Sequence, residues 1–272
     1  MIVLFQAIIS LILTIVYAIN IDFSFSIINI FKVLLCFLVI NIGFIILILL
    51  AFVAFVYLTQ KLPKDNMLKH KLYNYFNTYI FNFLYRVKPI IIGKENLPEN
   101  SNFVVYSNHI EYTDPLYIKQ AYKKYPLAYV TKEELYKYFL VKNILSSTGC
   151  IKLSRKTGDR QALQAILQAI SQVKNGQPIG IFPEGTRSHT NTMGQFKSGS
   201  FKIAQKAGAD ISITVLYNMH KTIDIFKILN AKVYIKILPL IKYDEIKDMD
   251  TNTLSDFVYN KMCDELNTFK EI

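Results

Sequence analysis

Two long apolar stretches at the beginning of the chain constrain its fold more than any other feature. Neither Met1–Ile19 nor Val33–Leu58 contains a charged side chain. About 20 apolar residues are enough to cross the hydrocarbon core of a bilayer. We therefore predict two transmembrane helices joined by a short connection that contains Asp22, so that residues 1–60 form a two-helix membrane anchor.

Lysines indicate the orientation of this anchor. Lys61, Lys64, Lys69 and Lys71 follow the second apolar stretch, and an excess of Lys and Arg next to a membrane span is typical of the cytoplasmic side. The prediction is a hairpin in the cell membrane, with both ends and the remaining chain in the cytoplasm. A cleaved signal peptide at Met1–Ile19 is the alternative, although that stretch lacks a basic beginning. The second stretch would keep even that form in the membrane.

The charge of the chain is concentrated outside the anchor. Asp22 and Lys32 are the charged residues of 1–60 and cancel, so the net charge of +11 belongs to residues 61–272. We expect an anionic partner, and an anionic membrane surface fits because each Lys or Arg near it contributes about 1 kcal/mol of attraction. Nucleic acid is the rival partner, but the chain has neither a compact basic block nor a nucleic-acid motif. We therefore predict no nucleic-acid binding.

The three cysteines give little information. Cys36, Cys150 and Cys263 are odd in number and far apart, so their spacing predicts neither a disulfide framework nor a metal site. Cys150 as a covalent nucleophile stays open as an alternative.

Residues 61–88 form a basic and aromatic segment. Asp65–Val87 is rich in Tyr and Phe at near-helical spacing and has lysines at its start. We interpret it as a helix lying on the membrane interface. A helix packed into the core of the following domain explains the same spacing, and the sequence does not separate the two.

Residues 89–272 alternate between short β-rich runs and helical patterns. The helical patterns are clearest at Arg160–Lys174 and Ser198–Ala207, the second of which ends at Gly208. Lys242–Ile272 is a terminal helical segment. This alternation predicts an α/β domain with a largely parallel central sheet flanked by helices. The predicted strands are Pro89–Ile92, Asn102–Tyr106, Leu127–Thr131, Cys150–Leu153, Pro178–Phe182, Ile211–Tyr217 and Lys232–Leu238.

A histidine and an aspartate follow the second predicted strand. Ligands of open α/β sheets bind at the carboxyl ends of strands, and His109 stands at such an end. Asp114-Pro115 has the pattern of a helix start, with Asp114 as N-cap, so the residues between can fold the imidazole and the carboxylate together. A carboxylate on one ring nitrogen leaves the other free as a general base. Taken alone, this spacing favours the alternative of a capping Asp beside an unrelated surface His.

Two arginines follow two further strands. Arg155 ends the run Gly149–Arg155, and Arg187 follows a Pro-Glu-Gly turn in the string Phe182–Ser188. A guanidinium matches phosphate oxygens bidentately, so both arginines can hold one phosphate. Two surface arginines paired with acidic residues are the alternative.

These three segments, in this order, resemble the 1-acyl-sn-glycerol-3-phosphate acyltransferase family. That family carries Asn-His-x4-Asp, then Gly-x5-Arg, then Phe-Pro-Glu-Gly-Thr-Arg-Ser, matched here by Asn108–Asp114, Gly149–Arg155 and Phe182–Ser188. The resemblance covers about Pro89–Leu240. Lys132–Leu135 and Phe196–Gly199 also look like blocks of the family.

The resemblance implies a reaction and a role for each matching residue. His109 would take the proton from the acceptor hydroxyl, and Asp114 would orient and stabilise the imidazolium. Arg155, Glu184, Gly185, Thr186 and Arg187 match positions that hold the glycerol phosphate. The acceptor would be lysophosphatidic acid and the product phosphatidic acid, with acyl-CoA or acyl-carrier protein as donor and no cofactor or metal. Backbone N–H groups of the Glu184-Gly185 turn are candidates for stabilising the oxyanion.

Two departures from the family pattern leave details open. Glu111 replaces a small hydroxyl residue, and an ionised carboxylate there would favour the protonated form of His109, unless it faces solvent or pairs with a lysine. Asp210–Val215 lacks the prolines usual in the fourth block, which leaves open another acceptor, such as glycerol 3-phosphate or a different lysolipid. His70, His189 and His220 are interpreted as surface or loop residues. A catalytically inactive membrane-binding scaffold is the alternative outside the enzyme class.

Overall fold

The computed structural model of the protein describes residues 2–21, 24–153, 159–223 and 230–269. Contacts divide the chain into two units, Met1–Leu58 and Thr59–Ile272. The second contains both the segment predicted to lie at the membrane interface and the predicted α/β domain.

The first unit consists of two apolar helices, α1 (Ile2–Asn20) and α2 (Ile27–Leu58). Polar side chains meet between them, since Gln6 and Ser10 each donate to Asn41 Oδ1 at 3.4 Å. Within the described residues, one helix, Ile27–Lys61, is long and apolar enough to cross a membrane, with a mean hydropathy of 3.2. The apolar helix Phe5–Asn20 is shorter. A second membrane span at α1 therefore stays a prediction.

The second unit is built on a largely parallel sheet, as predicted. Among the residues described, seven strands form it in the order β1-β7-β6-β2-β5-β3-β4. Neighbouring strands are parallel except for β6 and β7, which pair antiparallel. Each predicted strand is present within two residues of its expected bounds. The strands are β1 (Val87–Ile92), β2 (Phe103–Ser107), β3 (Ala128–Lys132), β4 (Ile151–Leu153), β5 (Ile179–Ile181), β6 (Asp210–Tyr217) and β7 (Ala231–Ile237).

Helices connect the strands and cover the sheet. The predicted helix Arg160–Lys174 corresponds to α6, and Gly208 ends α7 in the left-handed conformation with φ 64°, which glycine adopts without steric cost. The first part of the predicted helix Ser198–Ala207 is a 3₁₀ turn. The helices are α3 (Met67–Thr78), α4 (Asp114–Ala121), α5 (Phe139–Ser147), α6 (Asp159–Lys174), α7 (Lys202–Ala207), α8 (Tyr243–Ile246) and α9 (Thr251–Thr268).

Alternation along the strands gives the sheet two buried faces. In β2, Val104 and Tyr106 belong to one apolar cluster while Phe103 and Val105 belong to the other. Helices α6, α7 and α9 contribute to the first cluster, and α4 contributes to the second. Because both faces are covered, the central strand β2 is hydrophobic from Phe103 to Tyr106, as is usual for parallel sheets.

Helix α3 presents an unusual polar face to the protein. Asn74 Nδ2 donates to Lys119 O at 2.9 Å, and Asn77 Nδ2 donates to Leu116 O at 2.7 Å. His70 is fully buried and contacts Lys64 O through Nε2 at 2.8 Å, so its interpretation as a surface residue was wrong. Burial lowers the pKa of His70 to about 3. The helix is thus attached to the α/β domain by hydrogen bonds rather than by an apolar stripe.

Candidate active site

Two of the three predicted motifs meet at one edge of the sheet. Strands β2 and β5 are parallel neighbours, so the loops that follow them leave from the same edge. Asn108–Asp114 follows β2, and Phe182–Ser188 follows β5. Asn108 attaches the first loop to β6, the other neighbour of β2 in the sheet. Its side chain donates to Leu216 O at 3.0 Å and accepts from Leu216 N at 2.8 Å.

The His109 imidazole and the Asp114 carboxylate form a hydrogen bond. His109 Nδ1 lies 2.9 Å from Asp114 Oδ2, which also accepts from the backbone N–H groups of Ile110 at 2.6 Å and Glu111 at 2.9 Å. Asp114 was expected to cap α4. Instead, α4 begins at Asp114 with Thr113 in the cap position, and the carboxylate is turned back toward the preceding loop. The turn that precedes Pro115 therefore places this carboxylate beside the imidazole.

This geometry determines the tautomer of His109. Since Asp114 Oδ2 accepts two N–H groups, the ring nitrogen that faces it must be a donor as well, which leaves Nε2 with a free lone pair. The Asp114 side chain is 0% exposed and that of His109 is 15% exposed. Burial raises the pKa of Asp114, while the hydrogen bonds from His109 and from the backbone oppose that rise. The arrangement suits a group that takes a proton at Nε2 and needs a nearby negative charge afterwards.

An aromatic stack orients the imidazole. The Phe182 ring lies 4.1 Å from the His109 ring at an interplanar angle of 19°, and the Tyr129 ring stacks behind Phe182 at 6.1 Å. Tyr129 OH donates to Pro115 O at 2.8 Å, which connects the stack to the start of α4. A Cβ atom on Gly180 would lie 2.4 Å from Tyr129 Cε1, so the stack requires glycine at that position.

Glu184 joins the two loops. Its Oε1 accepts the His109 backbone N–H at 2.7 Å, and its Oε2 accepts the Gly194 N–H at 2.7 Å. Burial raises the pKa of Glu184, and these two backbone contacts oppose the rise. Both carboxylate oxygens are thus occupied by the protein, so Glu184 shapes the site in this structure. The Gly185 N–H donates to Phe182 O at 3.0 Å and closes the turn.

Arg187 lies beside the loop Asn108–Asp114, which carries His109. Its Cζ is 3.2 Å from the centroid of the Tyr112 ring, an arrangement that attracts a cation to the face of the ring. Arg187 Nη1 is buried, and no acceptor in the described residues reaches it. Thr186, next to it, is exposed. The remaining predicted phosphate ligand, Arg155, lies outside the described residues.

Glu111 has a partner that the sequence did not indicate. Its carboxylate is 2% exposed and accepts a hydrogen bond from His189 Nδ1 at 2.7 Å. Neither solvent nor a lysine takes this position, so those two expectations were wrong. The contact joins residues that are far apart in the chain, and no local pattern predicts it. The Phe182 stack and the Asn108 anchor were missed for the same reason.

Comparisons with known proteins point to one family. The Acyltransferase family model matches residues 88–218. A 1-acyl-sn-glycerol-3-phosphate acyltransferase of Borreliella burgdorferi is 33% identical over 186 residues, covering 68% of this chain and 74% of that protein. A probable 1-acyl-sn-glycerol-3-phosphate acyltransferase of Mycoplasma pneumoniae is 33% identical over 145 residues, covering 52% of this chain and 53% of that protein.

A solved structure is similar over most of the chain. The crystal structure of the 1-acyl-sn-glycerophosphate (LPA) acyltransferase PlsC from Thermotoga maritima matches with a TM-score of 0.66 and 25% identity. The match covers 80% of this chain and 88% of that one. Fold, motif order and relatives point the same way, and the chain belongs to the 1-acyl-sn-glycerol-3-phosphate acyltransferase family.

Proposed function

We propose that this protein transfers an acyl group from an acyl thioester to the sn-2 hydroxyl of 1-acyl-glycerol 3-phosphate, which gives phosphatidic acid for phospholipid biosynthesis. It is thus a 1-acylglycerol-3-phosphate O-acyltransferase. The observation that carries this proposal is the buried hydrogen bond between His109 and Asp114, at the sheet edge where two of the family motifs meet. Acyl-CoA or acyl-carrier protein is the donor, and the reaction as proposed uses no cofactor or metal.

His109 acts as the base in this mechanism. Its Nε2 takes the proton of the acceptor hydroxyl while the hydroxyl oxygen attacks the thioester carbonyl carbon. The C–S bond then breaks, and the departing thiolate receives the proton from Nε2. Asp114 stabilises the imidazolium between these steps, and it does so strongly because the carboxylate is buried.

Arg187 supports recognition of the acceptor phosphate. Its buried Nη1 offers a donor that a phosphate oxygen satisfies, and charged hydrogen bonds of this kind contribute about 1.5–3 kcal/mol. We assign Arg155 to the same phosphate from its place in the family motif. Gly185 and Thr186 would border the phosphate, and Glu184 would keep the loop in place through its bonds to His109 and Gly194.

The outer face of α3 supports a position at the membrane. Its buried face is polar, whereas Leu68, Leu72 and Tyr75 are exposed at helical spacing, with Lys71 beside them. Apolar side chains next to lysines favour the surface of an anionic bilayer. We propose that residues 61–88 contact the cytoplasmic leaflet of the cell membrane and that residues 1–60 anchor the chain in it.

Turnover by the purified full chain in detergent micelles tests this function. Lysophosphatidic acid, other lysolipids and glycerol 3-phosphate are offered in turn, each with acyl-CoA and with acyl-carrier protein. We expect acylation of lysophosphatidic acid and nearly complete loss of turnover in His109→Ala. Preference for another acceptor would change the substrate, and turnover of none of them would favour an inactive scaffold. A third or more of the wild-type kcat in His109→Ala would contradict its role as base.

A further inference from the structure

A second His–carboxylate pair lies beside the first. Glu111 is two residues from His109, and its buried carboxylate is held by His189 Nδ1 at 2.7 Å. The His189 ring is 55% exposed, whereas the Glu111 side chain is 2% exposed. His220 is also near Glu111: burial lowers the pKa of His220, and the charge of Glu111 opposes this effect. The histidine that forms a hydrogen bond with the Glu111 carboxylate is His189.

The pair extends a backbone contact between the two active-site loops. Ser188 N donates to His109 O at 2.9 Å, and His189 N donates to Ile110 O at 3.2 Å. His189 has φ 59°, a left-handed conformation that is sterically unfavourable for a residue with a side chain. Such a conformation persists only where its surroundings hold it. The two backbone bonds and the contact with Glu111 supply this restraint.

The segments that the pair joins carry the Arg187–Tyr112 stack. Tyr112 is adjacent to Glu111, and Arg187 is two residues from His189, with its Cζ 3.2 Å from the Tyr112 ring centroid. A shift of residues 187–189 away from residues 109–112 would separate the guanidinium from the ring. The Glu111–His189 hydrogen bond opposes such a shift, together with the two backbone bonds.

We propose that Glu111 and His189 are positioning residues for the acceptor: their hydrogen bond holds Arg187 on Tyr112, where its guanidinium receives the phosphate of the lysolipid. This inference rests on the proposed function. It assigns to Glu111, which replaces the small hydroxyl residue frequent in the family, a role in acceptor affinity rather than in the basicity of His109.

The carboxylate makes the pair asymmetric. Glu111 Oε2 is buried and without a partner within the part of the chain that the structure describes, so His189 supplies the side-chain hydrogen bond of this carboxylate. Removing His189 alone therefore leaves a buried, unpaired carboxylate, which is far less favourable than removing both groups. The effects of removing His189 and Glu111 on acceptor affinity are expected not to add, whereas those of independent side chains would.

The experiment compares variants of the full chain in micelles by calorimetric binding of lysophosphatidic acid and by steady-state kinetics. In His189→Ala we expect affinity for lysophosphatidic acid to fall about tenfold, within the range of coupling seen for residues in contact, while KM for the acyl donor stays unchanged. Adding Glu111→Ser to this variant is expected to lower the affinity no further, because both changes remove the same hydrogen bond. His189→Asn is expected to bind like wild type, because its side-chain amide can replace the Nδ1 donor and Asn tolerates positive φ.

Lys247→Ala is the matched control, since it removes an exposed ion pair with Asp244 at 3.0 Å, far along the chain, and we expect no change in binding. Wild-type affinity in His189→Ala would overturn the inference, as would a double variant weaker than the single one. A Glu111→Ser variant that moves the acidic limb of kcat/KM without changing acceptor affinity would assign Glu111 to His109 instead. Binding without any turnover by the wild type would contradict the proposed function and leave the binding comparison intact.

Discussion

Replacing Asp114 by Asn tests how much of catalysis depends on the charge beside His109. Asp114 Oδ2 accepts from His109 Nδ1 and from two backbone N–H groups, so the amide oxygen of Asn must take this place. The NH2 group then occupies the position of Oδ1, which is buried and which no donor in residues 2–21, 24–153, 159–223 or 230–269 reaches. The substitution preserves the shape of the site but removes the charge and buries an unpaired donor group.

The two effects have different sizes. An unsatisfied buried donor costs about 1–3 kcal/mol of folding stability. The loss of the countercharge to the imidazolium acts on the transition state, and general acid–base catalysis contributes about 10²–10⁴-fold to the rate. At about 1.36 kcal/mol for each factor of ten, this corresponds to roughly 3–5 kcal/mol. We therefore expect kcat to fall by at least about a hundredfold in Asp114→Asn, while the protein stays folded.

The assay measures kcat for lysophosphatidic acid and the unfolding temperature on the same preparation. Ile246→Val is the matched control, because this residue of α8 is fully buried and the change costs about 0.5–1.5 kcal/mol. The control is expected to lose stability and keep its kcat. General-base support is expected to be worth about a hundredfold or more in kcat. An Asp114→Asn protein that keeps its kcat within about threefold of wild type would therefore refute the assignment of the pair to catalysis.

Three further predictions follow from the structure. In Arg187→Ala, KM for the acceptor is expected to rise tenfold or more, because charged hydrogen bonds contribute about 1.5–3 kcal/mol; a rise in KM for the donor alone would place Arg187 on the donor side. His70 is neutral in the fold, with a pKa lowered to about 3 from 6.5, so its contribution to stability is present above pH 6.5 and is lost as the pH falls toward 3. Between pH 7 and 5 this loss is about 2 kcal/mol, because the full slope of 1.36 kcal/mol per pH unit is reached only below pH 6.5. The variant His70→Gln keeps a donor for Lys64 O and is expected not to show this loss. Equal pH profiles of unfolding for the two proteins in micelles would contradict the prediction. A cysteine introduced at Lys64 is expected to resist membrane-impermeant reagents in intact cells, and ready labelling from outside would reverse the predicted orientation.

The sequence predicted active-site contacts between residues close together in the chain and missed those between residues far apart. The contact of His109 with Asp114 spans five residues, and a turn before Pro115 made it a prediction that the family resemblance favoured. The contact of Glu184 with the His109 N–H spans 75 residues, and that of His189 with Glu111 spans 78. Neither has a local signal, because the pairing of β2 with β5 is what brings the loops together. His70 was misjudged for a related reason, since a polar residue on a helix that packs through its polar face has the same pattern as an exposed one.

The sequence by itself determined the local elements and the chemistry available to this protein. Apolar runs, alternating strands and turn residues depend on neighbours in the chain, so they predicted the apolar N-terminal helices, the strands β1–β7 and the α/β class. The motif residues indicated an acyltransferase through their resemblance to a known family. The tertiary structure alone decided the strand order and the antiparallel pairing of β7 with β6. It also decided the partners of Glu184, Glu111 and Arg187. These depend on which strand ends become neighbours, and that is settled by the packing of the whole sheet between its helices.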